Sequence, residues 1–507
     1  MKQFFGKEYW VMLGVSAAMF LDAIASYAFN LGSVMLVIYG LIALVLTYKR
    51  LEWGLLFVFL ELFTNPHGKL IFTTIFGQTL PLRMVIFAAV MLAWFLLVVQ
   101  GRVRFDLAKT KPFLVLFVGV VLGWTGLFLN NPSFAFQDGN AYVYLLYLFP
   151  ILSITWDSTA KRRLLQCLAA GVTWVTTLSF GILYLYTHFT EPQLVNVYLF
   201  LRDVRIAEIT PIISTVYRVF IQSQLFVIVF AMMIVALLFE KQEKNTARLL
   251  VGMLSLGVAV VLLSLSRSFW FGLILAVVGL AVLWFVSHRP TAKQVFVFLQ
   301  QSIVSVVLGV LALVVIVLFP FPERSTAVDF SDVFKRRTTS DDVAISSRWQ
   351  LFDPMWQAIE EAPLLGNGFG KTVTFISDDP RVRAINPDGT WETHSMEWGW
   401  FEVWLKMGMF GLLGFFILGL YLAKGFIDQL KGEHRWLAIG FLSSLLFLYA
   451  THMFSPYMNH PIGLGFLLFA FIFADHSSKS VVPVIERVRS VLEQNKTVAP
   501  VLTSKSE

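Results

Sequence analysis

Apolar runs of about 20 residues recur along the whole chain, and each is long enough for a helix to cross a hydrocarbon core of about 30 Å. A bilayer core offers the backbone no water, so a chain crosses it as helices or as a closed barrel. Barrel strands read as short alternating segments, and none dominate here. The expectation is an all-α, polytopic membrane protein with about 12–14 transmembrane helices. Composition agrees. Of 507 residues, 57% are apolar and 14% charged, against about 45–50% and about 25% in an ordinary soluble domain. Fourteen candidate spans fall at roughly 8–28, 31–47, 51–64, 80–100, 112–130, 140–156, 163–187, 212–239, 248–265, 268–286, 295–320, 398–423, 436–453 and 459–474. The run at 51–64 is the weakest, being short and carrying Glu61.

Loop charge orients these spans. With the N-terminus in the cytoplasm, Lys and Arg gather in the inside loops: Lys49 and Arg50; Arg102, Arg104, Lys109 and Lys111; Lys161, Arg162 and Arg163; Lys241, Lys244 and Arg248; Arg289 and Lys293; Lys424, Lys431 and Arg435. Dropping 51–64 inverts the first two loops, so it is kept. The net charge of +7 follows from this bias and needs no nucleic acid: no soluble segment interleaves basic and aromatic residues. The first apolar run lacks a small-residue cleavage site and is expected to stay as a span. The single cysteine, Cys167, excludes an intrachain disulfide and a cysteine metal cluster. Both termini are expected in the cytoplasm. Within the tail, 475–507, "VVPVIERVRSVLEQ" reads equally as a surface amphipathic helix or as solvated chain.

The spans divide the chain into a bundle of about eleven over 1–320, a large external loop over 321–397, and C-terminal spans over 398–474. A second external segment covers about 188–211. The large loop opens on the polar "FPERSTAVDFSDVFKRRTTSDD". Phe352, Met355, Trp356 and Ile359 then predict an amphipathic helix; Asp353 before Pro354 is the alternative start of a shorter one. "LLGNGFG" reads as a glycine turn.

Charged residues near a bilayer are costly and usually have a purpose. Arg218, Arg267 and Arg348 fall at outer ends of spans or in the outer loop, and His394 lies on the same side, between Glu392 and Glu397. Each has a plainer reading. Arg267 in its tight turn snorkels to lipid, Arg348 is solvated on its helix, and Arg218 anchors at the interface. Arg202 and Arg205 read as headgroup contacts. His394 has no His or Cys at metal spacing, and "SDDP" with Glu392 reads as a turn before a cation site. The functional reading joins guanidinium forks, which bind phosphate bidentately, to an imidazole able to take a proton at neutral pH. Glu392 and Glu397 orient that imidazole or merely flank it, Glu397 sharing its face if the helix has begun. Such a set suits a phosphate-bearing lipid and a nucleophile that must lose a proton.

"SRSFWFGLILAVVGLAVLW" at 266–284, "SRWQLFDPMWQAIEEAPLLGNGFG" at 347–370 and "THSMEWGWFEVWLKMGMFGLLGFF" at 393–416 resemble the O-antigen ligase and polymerase superfamily in order, spacing and side. Ser395 follows the histidine where that pattern often has Asn. The resemblance implies a GT-C-like fold in the bacterial inner membrane with an extracytoplasmic active site. It implies an undecaprenyl-diphosphate-linked glycan donor, and His394 as the general base. Arg267 and Arg348 would clamp the diphosphate, with Arg218 a third member. It implies inverting transfer without metal or cofactor. The acceptor is a lipid A core for a ligase, another carrier-bound glycan for a polymerase, or a protein for an O-oligosaccharyltransferase. A transporter of lipid-linked glycans or anions would also use arginines, but it favours inverted repeats and midplane charges.

Overall fold

A computed structural model describes residues 2–75, 77–213, 216–322 and 343–474. The polar opening of the large loop and the tail after Ala474 lie outside the described residues. The chain runs α1 (Lys7–Phe29), α2 (Gly32–Lys49), α3 (Leu51–Thr64), a hairpin β1 (Phe72–Ile75) and β2 (Gln78–Pro81), then α4 (Leu82–Val99). Next come α5 (Leu114–Trp124), α6 (Gly126–Leu129), α7 (Pro132–Gly139), α8 (Leu148–Leu152), α9 (Ser158–His188) and α10 (Glu191–Asp203). A hairpin β3 (Glu208–Ile213) and β4 (Val216–Phe220) precedes α11 (Gln224–Leu238), α12 (Lys244–Ser264), α13 (Arg267–His288) and α14 (Ala292–Leu318). The last part holds α15 (Val343–Glu361), β5 (Val373–Ile376), α16 (Pro380–Arg383), β6 (Thr390–Thr393), α17 (Gly399–Gln429), α18 (Arg435–His452) and α19 (Pro461–Phe473).

All fourteen apolar runs carry helix. Among the described residues, nine helices have the length and apolarity to cross a membrane: α1, α2, α4, Leu107–Leu129, α9, α12, α13, α14 and α17. The protein is an all-α polytopic membrane protein. The remaining five runs give shorter or more polar helices, and for three of them the reason is burial. α3, α11 and α19 are apolar on every side and are surrounded by protein along nearly their whole length. α14, by contrast, exposes Phe296, Ile303 and Val315 as a lipid-facing belt. Glu61 in α3 is held by Arg83 Nε at 2.9 Å and Asn65 Nδ2 at 2.8 Å, so its charge is compensated inside the bundle.

Three local expectations change. The run at 212–239 begins as strand, not helix: β4 alternates side chains and pairs with β3, Arg218 opposite Thr210. The run at 140–156 is a 3-10 stretch, Asn140–Tyr147, followed by the five residues of α8. Pro150, the third residue of α8, has no N–H for the Leu146 carbonyl, so the α-helical bonding cannot extend back unbroken into the preceding 3-10 stretch. In the loop, α15 is one continuous helix through Pro354, which removes the shorter alternative. Its Leu351, Met355 and Ile359 pack with Phe375 and Trp398 in a small second core, while Trp356 stays at the edge.

Gly408 breaks α17, with φ 62° and ψ −164°. A broken helix frees carbonyls that must find partners inside protein. The glycine turn supplies them: Asn367 N donates to the Leu405 carbonyl at 2.8 Å, and Gly368 N to the Lys406 carbonyl at 3.1 Å. Gly366, Gly368 and Gly370 all take positive φ, and a Cβ on Gly366 would stand 2.4 Å from Gly408 N.

Candidate active site

α12 and α13 meet in a turn of two residues. Leu265 reverses the chain in the left-handed region, φ 45°, and Ser266 stands at the N-cap position of α13 with its hydroxyl 3.1 Å from that of Ser268. Arg267 is therefore the first residue of α13, and it lines one cavity together with Ser266 and Ser268 of the same helix start. β4 brings Arg218 alongside, its Nε donating to the Ser264 carbonyl at 2.8 Å. α15 brings Arg348, whose carbonyl accepts Trp398 Nε1 at 2.9 Å. The three arginines line one cavity of about 360 Å³ with Glu208, Ser266, Ser268, Glu397, Ser455 and His460. Cations and a helix N-terminus both favour an anion here.

Two carboxylates stand among these cations. Glu397 accepts from Arg348 Nε, and Glu208 lies 3.6 Å from Arg218. Glu397 is not on the helix that contains the later apolar run, because α17 begins at Gly399. It turns to Arg348 rather than sharing a helical face with His394. Glu392 is exposed on β6, opposite Thr374.

His394 is placed just beyond β6 and lies outside the lining of the arginine cavity. Its ring stacks on Phe134 of α7, centroids 4.3 Å apart and planes within 6°. Burial pushes its pKa below the ordinary histidine value; Asp138 opposes the shift and Lys406 adds to it. An imidazole in this state is neutral at pH 7 and can accept a proton. His460 stands in the cavity wall.

Beneath His394 lies a buried charge network. Lys406 Nζ donates to the His394 carbonyl at 2.7 Å, Glu402 Oε1 at 2.5 Å and Asp138 Oδ2 at 2.8 Å. An ammonium has three donors, and all three are used. Glu402 Oε2 accepts Asn459 Nδ2 at 2.8 Å, and Asn459 Oδ1 accepts Tyr142 O–H at 2.9 Å. Asp138 also accepts Gly370 N at 2.7 Å. The network ties α7, the glycine turn and α17 to the segment before α19, which ends at His460. Asp138, Tyr142, Glu402, Lys406 and Asn459 did not stand out from the sequence. The signal was present: Glu402 and Lys406 form an i,i+4 pair inside an apolar run.

The "SDDP" carboxylates are taken by arginines. Asp379 caps α16 and holds Arg381, and Asp378 holds Arg383. Hydrogen bonds from Arg381 keep the Asp379 carboxyl below its ordinary pKa. Among the described residues, no group of three or more His, Cys, Asp or Glu is placed to hold a metal ion.

The family model described as O-antigen ligase matches residues 251–416, from α12 into α17, a stretch that contains Arg267, Arg348, His394 and Lys406. No curated protein matches the chain. No solved structure matches it either.

Proposed function

We propose, from the O-antigen ligase/polymerase-type segment at 251–416 as premise, that this multi-pass membrane protein is an O-antigen ligase-like glycosyltransferase. The donor is a glycan on an undecaprenyl-diphosphate carrier, and the acceptor is a hydroxyl of a lipid A core. Transfer takes place at the outer face of the bacterial inner membrane. The observation that carries the reading is the meeting of Arg218, Arg267, Arg348 and the α13 N-terminus on one cavity.

In this reaction the acceptor oxygen forms a bond to the anomeric carbon while the bond from that carbon to the phosphate oxygen breaks. The electron pair leaves with the carrier diphosphate, and one displacement inverts the centre. Negative charge grows on the leaving group, so fixed guanidinium groups there lower the barrier without reorganising. Glu397 and Glu208 keep Arg348 and Arg218 oriented until the diphosphate takes their place. The hydroxyl proton goes to His394, held neutral by its burial. Lys406 acts through the His394 carbonyl as a positioning residue.

Purified protein in liposomes with lipid-linked glycan and a lipid A core acceptor is expected to make a new glycosidic bond. Translocation of unchanged glycan would instead indicate a transporter. Arg348→Lys is expected to lower kcat about tenfold or more, because a point charge replaces a planar fork. Wild-type turnover in that variant would leave Arg348 with a structural role beside Glu397.

A further inference from the structure

A second cavity, of about 400 Å³, adjoins the first and shares Glu208, Phe220 and Gln222 with it. Arg202, Arg205, Tyr198, Thr210 and His67 complete its polar lining. α10 ends there in a Schellman turn: Ile206 N donates to the Leu201 carbonyl at 3.1 Å and Arg205 N to the Arg202 carbonyl at 3.2 Å. That turn puts Arg205 in the left-handed region, φ 52°, a position where glycine is usual. An arginine at a strained site, with its neighbour Arg202 on the same cavity, points to use of its charge. Arg202 is oriented by Asp203, Nε to Oδ1 2.8 Å, and Asp203 is itself held by Tyr27 at 2.7 Å. His67 also lines this cavity. Burial, with His460, Arg205, Arg83 and Lys69 around it, keeps its ring neutral, with a pKa of about 3.

We propose that this cavity is a second anion subsite, in which Arg202 and Arg205 hold a phosphate group carried by the acceptor. The inference rests on the reading of the arginine cavity as the donor diphosphate site. Transfer needs two substrates within reach of each other, and two cation-lined cavities with a common wall meet that need. A phosphate on the acceptor would be gripped on the Arg205 side of Glu208, and the donor diphosphate on the Arg218 side. The same chemistry is offered by an anionic membrane headgroup, and the test separates the two sources.

The full chain in phosphatidylcholine nanodiscs is titrated calorimetrically with inorganic pyrophosphate. Two sites are expected. Arg205→Gly suits the left-handed backbone, so it removes the charge while favouring the fold; it should leave one site, as should Arg267→Ala. In transfer assays Arg205→Gly should raise the acceptor KM about tenfold with the donor KM unchanged. Unchanged stoichiometry in Arg205→Gly, or a rise in donor KM instead, overturns the proposal. So does loss of the second pyrophosphate site when phosphatidylglycerol is added to the nanodiscs, which would assign the cavity to lipid. If Arg267→Ala leaves pyrophosphate binding untouched while Arg205→Gly removes a site, the donor reading falls and the second anion subsite stands.

Discussion

His394→Ala is expected to lower glycan transfer by about 10²–10⁴-fold, the range for loss of a positioned general base, with insertion and folding intact. The imidazole is half-buried against Phe134 and belongs to neither hydrophobic core, so its removal costs chiefly one stacking contact. The pH profile gives the sharper test. Burial lowers the His394 pKa from its ordinary value of 6.5. A base works in its unprotonated form, so kcat/KM should stay level through neutral pH and fall only as pH drops through the depressed pKa. The acid limb therefore lies below about pH 6.5, and it should vanish in His394→Ala. An acid limb that survives the substitution unchanged would belong to another group and remove His394 as the base.

Lys406→Met should destabilise the protein by about 3–5 kcal/mol, the usual effect of stripping one partner from a buried ion pair. Lys406 and Glu402 are both almost fully buried, their side chains 4% and 5% exposed, and Asp138 is only 11% exposed. Removing the ammonium leaves two carboxylates facing each other without their cation. It also leaves the His394 carbonyl without its donor, so the base loses its support. Thermal inactivation in detergent measures the stability, and a drop in kcat that persists below the unfolding range measures the positioning. Adding Glu402→Gln to Lys406→Met should recover part of the lost stability, since one of the stranded charges disappears. A single variant as stable as wild type would mean that water reaches this network.

The helices were legible because burial in lipid demands long apolar runs, and fourteen runs give fourteen helical segments. The exceptions have local causes. Pro150 broke a run that hydropathy alone could not split, and the β3–β4 hairpin borrowed the first residues of an apolar stretch. Arg218, Arg267 and Arg348 stood out since charges near lipid are rare, and they share a cavity. His394 stood out as well, yet it packs on α7, a contact between residues so far apart in the chain that no local pattern announces it. Lys406 was hidden by its company. An apolar stretch with one glutamate and one lysine four apart reads as an ordinary span until Asp138 arrives from another helix.

The break at Gly408 makes the chain between α15 and α17 dependent on the helix it precedes. Asn367 and Gly368 find their acceptors on the carbonyls of Leu405 and Lys406, and Met409 N returns to the Pro363 carbonyl at 3.1 Å. Backbone bonds carry most of this seam, and the Trp404 indole adds one side-chain bond, its Nε1 donating to the Pro363 carbonyl at 2.8 Å. A fragment spanning 343–397, cut free of the bundle, would keep its hairpin residues but lose the seam that shapes the glycine turn. It should show little protection in amide exchange, whereas the same amides at 367 and 368 in the whole protein should be among the slowest.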